Sequence, residues 1–278
     1  MEECRGRYFF CNGQLKDTTG FDDSFLSSPY YIYEVFRVIE GVALFLEDHL
    51  QRLEDTCRLS NHCHGFDKAS LQKQVAGLIA QNNLQTGNIK VVLHRLANQH
   101  SELLVYITHH DYPTDSEYEK GVDVSLFKAE RHNPNAKVMD VKLRNAANFM
   151  KQEKDVYETL LVNAQGCITE GSRSNVFFIR GGKVITPPVE EVLPGITRKY
   201  VMEVSRLSGL EVLEENVPAR SLVVMEALFI SGTSRKVLPV KKAGDLDFDP
   251  HHPLLQIIRQ AFDRKVTDYI RQHKKTLS

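Results

Sequence analysis

Four chemically different elements follow one another between Lys142 and Arg198. A lone lysine closes the apolar run Val138-Met-Asp-Val-Lys142, and a glutamate stands in Ile168-Thr-Glu170-Gly171. A strand-like run, Asn175-Val-Phe-Phe-Ile179, comes next, and Leu193-Pro-Gly-Ile-Thr-Arg198 reads as a loop opening into a helix. An amine able to form an imine, a carboxylate able to face a ring nitrogen and a helix start able to hold a phosphate are together the parts of a pyridoxal-phosphate site. None of them alone carries that reading.

Lys142 is expected at a strand end that opens into a helix near Asn145, a place where side chains meet a cleft. Desolvation and nearby cations there favour the neutral amine that imine formation requires. Lys90, Lys137, Lys151 and Lys154 compete for the role. Glu170, at a turn, is suited to keeping a pyridine nitrogen protonated, so that the ring accepts the electrons left when a substrate loses its α-proton. Gly195 lets the backbone approach an anion, and the N–H groups that follow it, with the Thr197 hydroxyl, offer hydrogen bonds favoured by the helix dipole. Ser231-Gly-Thr-Ser234 is a second small-residue strand end of the same kind. Arg52 is expected on the polar side of a helix or at its margin, where a guanidinium can pair with a phosphate dianion. Tyr33 and Arg95 fall in strand-like runs; the tyrosine suits packing beside a cofactor, and Arg95, with Arg37 as rival, suits a substrate carboxylate. Each of these residue types is more often a plain surface or packing group, so the ordered combination carries the argument.

Composition removes other classes. With 278 residues, 42% apolar content and a formal charge of −1 from 35 basic and 36 acidic side chains, the chain can bury a large core. It has no global field to attract nucleic acid or an anionic membrane. Five scattered cysteines without C-x-x-C spacing, no secretory start and no apolar run of spanning length predict a soluble cytoplasmic protein. Histidines at 62, 64, 109, 110, 251 and 252 lie in polar segments without partners at recognised spacings, so no metal is expected.

The elements that must position these groups are α plus β, with hairpins too frequent for simple alternation. Strands are predicted around Asn12-Gly13 and around Glu40-Gly41, helices from near His49 and over 69–82, and a strand pair over 89–96 and 103–107. The polar segment 111–119, with Pro113, predicts a linker between a small domain over 1–110 and a larger one over 120–278. In the latter, strands at 122–126 and 137–141 precede a helix over 145–157. A hairpin around 163–166, a turn at Gly181-Gly182, a helix from Gly195 to about Leu207 and a long amphipathic helix over 254–273 follow.

These residues resemble the class IV (fold type IV) pyridoxal-phosphate enzymes, which include branched-chain and D-amino-acid aminotransferases and aminodeoxychorismate lyases. The likeness runs from about Tyr33 to Val240. It rests on Tyr33-Glu-Val-Phe-Arg-Val-Ile-Glu-Gly41, His49-Leu-Gln-Arg-Leu53, Lys142-Leu-Arg-Asn145, Thr169-Glu-Gly-Ser172 with Ser174-Asn175, Leu193 to Arg198, and Phe229-Ile-Ser-Gly-Thr233. The resemblance implies a small N-terminal α/β domain and a larger C-terminal domain built on a β-barrel-like sheet, with the cofactor between them in a homodimer. It implies that Lys142 holds the cofactor as a Schiff base, that Glu170 meets its ring nitrogen and that Arg52, Ile196, Thr197 and Thr233 contact its phosphate. The implied activity is amino-group transfer between an amino acid and a 2-oxo acid. A lyase releasing pyruvate from aminodeoxychorismate is the alternative, which Val35 disfavours because lyase relatives place small hydroxyl residues there. A non-catalytic cofactor-binding protein is the third reading. The chain departs from the pattern at Ser28-Pro-Tyr-Tyr-Ile32, at Arg173, and after Arg95, where Leu-Ala-Asn-Gln replaces a glycine-rich loop; the Lys142 to Glu170 interval is also a few residues short.

Overall fold

The run Ile32-Tyr-Glu-Val-Phe-Arg-Val-Ile39, rich in β-branched and aromatic side chains, is a strand in the computed structural model, which describes residues 3–28, 31–60, 66–95 and 101–274. It is the third of six strands: β1 (Cys4–Cys11), β2 (Gln14–Asp17), β3 (Ile32–Ile39), β4 (Val42–Ala43), β5 (Thr86–Arg95) and β6 (Ser101–Thr108). They form one sheet in the order β2-β1-β6-β5-β3-β4, with antiparallel neighbours throughout. Side chains alternate across β3. Ile32, Phe36 and Val38 pack on one face with Leu50, Leu53, Leu71, Val75 and Leu78, and Tyr33 packs on the other with Phe9, Phe25, Tyr31 and Tyr106. Each such aliphatic or aromatic side chain contributes about 1.5–3 kcal/mol by leaving water.

The helices that cover the first face are α1 (Leu46–Leu59) and α2 (Lys68–Gln81). Asp67 caps α2 by accepting from the Ser70 amide at 2.7 Å, and Leu71, Val75 and Leu78 give it one apolar stripe. The first helix starts earlier than the expected position near His49. Phe45, at φ 53°, makes the turn in the left-handed region, and the Leu46 amide donates to Tyr269 Oη at 3.2 Å. Asp48 therefore lies in the first turn, not at the cap.

Ten strands build the second sheet: β7 (Val122–Lys128), β8 (Glu158–Val162), β9 (Cys167–Gly171), β10 (Asn175–Arg180), β11 (Lys183–Thr186), β12 (Val212–Glu214), β13 (Val217–Pro218), β14 (Ala227–Gly232), β15 (Lys236–Ala243) and β16 (Leu246–Asp247). Its order is β12-β11-β10-β14-β15-β7-β8-β9-β13, with β16 beside β15, and the β7–β8, β7–β15 and β11–β12 pairs are parallel. The remaining helices are α3 (Asp115–Lys120), α4 (Val141–Glu153), α5 (Ile196–Leu207) and α6 (Pro253–Lys274). No helix among the described residues is long and apolar enough to cross a membrane.

Two compact units emerge. One comprises Met1–Asp111, Ala136–Val141 and Val266–Ser278; the other comprises Tyr112–Asn135 and Lys142–Lys265. The expected linker over 111–119 is replaced by α3, whose Thr114 and Glu117 form a reciprocal capping box that a reading for breakers overlooks. Nor does a single cut describe the division, because the first unit also takes in 136–141 and 266–278.

Candidate functional site

In the second unit, β9 delivers Glu170 to a buried position, 2% exposed. Its Oε1 accepts from Arg131 Nε at 2.7 Å and its Oε2 from the Leu193 amide at 3.0 Å. These two bonds leave the carboxylate acceptor capacity for a further N–H, because four lone-pair directions exist. The second bond also fixes the approach to α5. Asn175 Nδ2 donates to the Leu193 carbonyl at 2.9 Å, and the Gly195 amide turns back to the same carbonyl at 2.7 Å. A Cβ on Gly195, at an ordinary φ of −65°, would lie 2.0 Å from Asn175 Oδ1, so a larger residue there would have to displace the Asn175 side chain that holds the Leu193 carbonyl.

Gly195 stands at the N-cap of α5 and supplies no side-chain acceptor, which leaves the first-turn N–H groups of Ile196 and Thr197 for another partner. The Thr197 side chain, buried in that turn, makes no hydrogen bond with any described residue. Arg198 anchors the turn from below by donating to the Pro187 carbonyl at 2.9 Å and to Glu214 Oε2 at 2.8 Å. A carboxylate and an uncapped helix start, joined through Leu193, suit a protonated aromatic nitrogen and a phosphate. The residues present therefore fit pyridoxal phosphate. Thr233, the other expected phosphate contact, follows β14 and is half-buried.

Lys142 is not at a strand end. The extended segment stops sooner than expected, with Val138 bridging Ile32 and the Met139 amide donating to the Tyr31 carbonyl at 2.9 Å. α4 then begins at Val141 instead of near Asn145, which puts Lys142 in its first turn. Its side chain is exposed and makes no hydrogen bond or ion pair with a described residue.

The first unit holds a separate polar cluster. Because side chains alternate along β3, Glu34 shares the helix-covered face with Phe36, and it meets α1 one turn apart at His49 and Arg52. Arg52 donates through Nε to Glu34 Oε2 at 2.9 Å and through Nη2 to Oε1 at 2.6 Å, and His49 Nδ1 lies 3.0 Å from Oε1. Arg52 is thus buried, 7% exposed, and not on the polar side of its helix. Near by, Lys137 is half-buried with its ammonium 4.8 Å from the centre of the Tyr33 ring. Its carbonyl accepts from the Tyr33 amide at 3.2 Å and its amide donates to Thr56 Oγ1 at 3.2 Å. Of the competing lysines, Lys90 also approaches the Tyr33 ring, at 5.8 Å from its centre. Arg95 ends β5, and its side chain, like His62 and His64, lies outside the described residues.

Burial would raise the Glu34 pKa, and the charge of Arg52, with hydrogen bonds from His49 and Arg52, reverses this and holds the carboxyl well below the usual range. Burial lowers His49 from its ordinary value of 6.5, and the charges of Arg52 and Lys137 add to burial against the pull of Glu34. The imidazole is therefore neutral at pH 7. An unfolded chain takes up this proton below about pH 6.5 while the folded one resists it, so stability falls as the pH drops from 6.5. The Glu34 contribution persists to lower pH and is lost only below about 4.5, the ordinary glutamate value. Denaturant midpoints measured from pH 7.5 to 4 should show the first decline, and His49→Gln should flatten it while leaving the second.

Sequence reasoning missed Arg131 and Glu34. The loop around Arg131 carries no periodicity, whereas Glu34 was accessible in principle from the alternation of β3.

Comparison with known proteins identifies the family and the fold. The family model for amino-transferase class IV matches residues 31–243. A putative branched-chain-amino-acid aminotransferase from Methanocaldococcus jannaschii is 26% identical over 221 residues, covering 75% of this chain and 77% of that protein. A D-alanine aminotransferase from Bacillus licheniformis is 26% identical over 224 residues, with 75% and 77% covered. Among solved structures, a branched-chain aminotransferase from Thermoproteus uzoniensis superposes with a TM-score of 0.86 at 20% identity, covering 95% of this chain and 96% of that one. A putative 4-amino-4-deoxychorismate lyase from Legionella pneumophila gives a TM-score of 0.78 at 20% identity, with 88% and 94% covered. The α+β fold, a curled half-barrel sheet with a separate smaller sheet, is that of the fold type IV enzymes. The chain belongs to the class IV aminotransferase family.

Proposed function

We propose that the chain moves an amino group between an amino acid and a 2-oxo acid with pyridoxal phosphate as cofactor. The observation that carries this reading is the hydrogen bond from the Leu193 amide to Glu170, which ties the buried carboxylate to the uncapped start of α5. Bound there, pyridoxal phosphate supplies an aldehyde for the amino group and a ring that takes up electrons from the substrate carbon. Glu170 keeps the ring nitrogen protonated, with Arg131 holding the carboxylate in place. Gly195, Ile196 and Thr197 grip the phosphate, with Thr233 and Arg52 as further contacts. Tyr33 packs beside the ring, and Arg95 receives the substrate carboxylate.

For the amine we propose Lys142, in the first turn of α4 and in the same compact unit as Glu170 and α5. Its side chain is exposed and makes no ion pair with a described residue. Lys137, half-buried against Tyr33 in the other unit, is the rival. The lysine amine would take the α-proton from the substrate and deliver it again, as a general base followed by a general acid. We place the enzyme in the cytoplasm, on its scattered cysteines, and expect a homodimer as in the family.

A panel of L- and D-amino acids, each with 2-oxoglutarate or pyruvate, tests the reading. Formation of the matching 2-oxo acid, dependent on an acceptor, is the expected result. Pyruvate released from aminodeoxychorismate without an acceptor would make the protein a lyase, and silence in both assays with bound cofactor would make it a binding protein.

A further inference from the structure

Glu158, the first residue of β8, is a buried carboxylate with no part in the chemistry above. It is 1% exposed. Its Oε1 accepts from Ser172 Oγ at 2.6 Å and from the Thr159 amide at 3.0 Å; its Oε2 accepts from Ser174 Oγ at 3.1 Å and from the Arg173 amide at 3.3 Å. The turn that leaves Glu170 is therefore wound around this one side chain. Gly171 is seated directly against it: an added Cβ would lie 3.2 Å from Glu158 Cγ and 2.1 Å from Ser174 Oγ.

A second turn reaches the same carboxylate. Arg235 Nη2 lies 3.4 Å from Glu158 Oε2, and Arg235 Nη1 donates to the Arg173 carbonyl at 3.2 Å. The Arg235 amide closes the turn after β14 by donating to the Gly232 carbonyl at 3.1 Å, and its guanidinium carbon sits 5.3 Å from the Tyr157 ring centre. Thr233 lies inside that turn. Burial opposes ionisation of Glu158, yet the charge of Arg235 and the hydrogen bonds from Ser172, the Thr159 amide and Ser174 hold its carboxyl below the usual range. The ion pair with Arg235 is thus present at neutral pH.

We propose that Glu158 is a positioning residue that, with Arg235, locks the turn following Glu170 to the turn carrying Thr233, so that the ring-nitrogen contact and a phosphate contact are set as one unit. The phosphate part rests on the proposed function; the mechanical coupling does not. A carboxylate satisfied by two hydroxyls, two amides and a guanidinium is able to order both turns at once, whereas a glutamine at this position has only one oxygen for them.

The test is amide hydrogen exchange on cofactor-free protein, for Glu158→Gln and Arg235→Gln, combined with pyridoxal-phosphate titration of the same samples. Each variant is expected to accelerate exchange over both 170–174 and 232–235 while α1 and α2 exchange as in the parent, and to weaken cofactor binding by about 10- to 100-fold. The double variant should add little to either single one. Exchange that rises only in the turn next to the substitution, or in neither, overturns the coupling. Should Glu158→Gln not fold, Ser172→Ala and Arg235→Gln carry the same comparison. Parent protein that fails to take up pyridoxal phosphate would sink the functional reading, and the exchange data would still decide the coupling.

Discussion

Lys142→Ala should give a folded protein with transaminase kcat lowered on the order of 10⁴-fold and no borohydride-reducible link to pyridoxal phosphate, while Lys137→Ala keeps the link. The contrast follows from where each amine stands. Lys142 projects from the first turn of α4, in the compact unit that also holds Glu170 and α5, and its removal deletes no buried contact. Lys137 lies in an extended segment of the other unit, pinned by its amide to Thr56 and its carbonyl to the Tyr33 amide. Its side chain is laid over an aromatic ring. These backbone bonds survive truncation to alanine, so both variants should fold with nearly the parent stability. Steady-state kinetics and thermal unfolding on both variants separate the two lysines; loss of the link in Lys137→Ala alone would move the assignment to Lys137.

Glu170→Gln should lower kcat by roughly 10²- to 10³-fold, because the amide keeps one oxygen for the Leu193 N–H but cannot hold a ring nitrogen protonated. Its NH2 group then faces the Arg131 donor, so the pair with Arg131, whose side chain is 12% exposed, is lost. Glu170→Ala goes further and also removes the acceptor that fixes Leu193. Breaking a buried pair from one side costs about 3 kcal/mol in both variants, and the alanine variant should unfold at lower denaturant concentration than the glutamine variant. Chemical unfolding with pyridoxal-phosphate titration checks both, and equal stability of the two variants would show that the Leu193 contact is not structural.

Much of the frame is legible from residues whose backbone demands are local. Asn12-Gly13, Glu40-Gly41 and Gly181-Gly182 each hold positive φ at both turn positions, the geometry that matches the twist of paired strands, and each joins two strands as expected. The stripe Leu71, Val75, Leu78 likewise placed α2 within a residue of its observed bounds. What failed were features set by distant partners. Arg52 reads as a marginal surface residue on its helix because Glu34, which draws it inward, comes from a strand earlier in the chain. The start of α1 depends on Tyr269, near the other end of the sequence. Lys142 falls in the first turn of a helix instead of at a strand end because an apolar run, Val138 to Val141, suits strand and helix equally, and pairing with Tyr31 and Ile32 consumes only its first part. The Glu170 to α5 connection was readable as two motifs, but the Leu193 hydrogen bond that makes them one site was not.

The most direct test is borohydride reduction of the protein with bound pyridoxal phosphate, followed by proteolysis and mass mapping of the modified peptide. One pyridoxyl adduct per chain, located on Lys142, is the predicted result. An adduct on another lysine would contradict the assignment, and no stable adduct on any lysine would contradict the proposal that this chain works through pyridoxal phosphate.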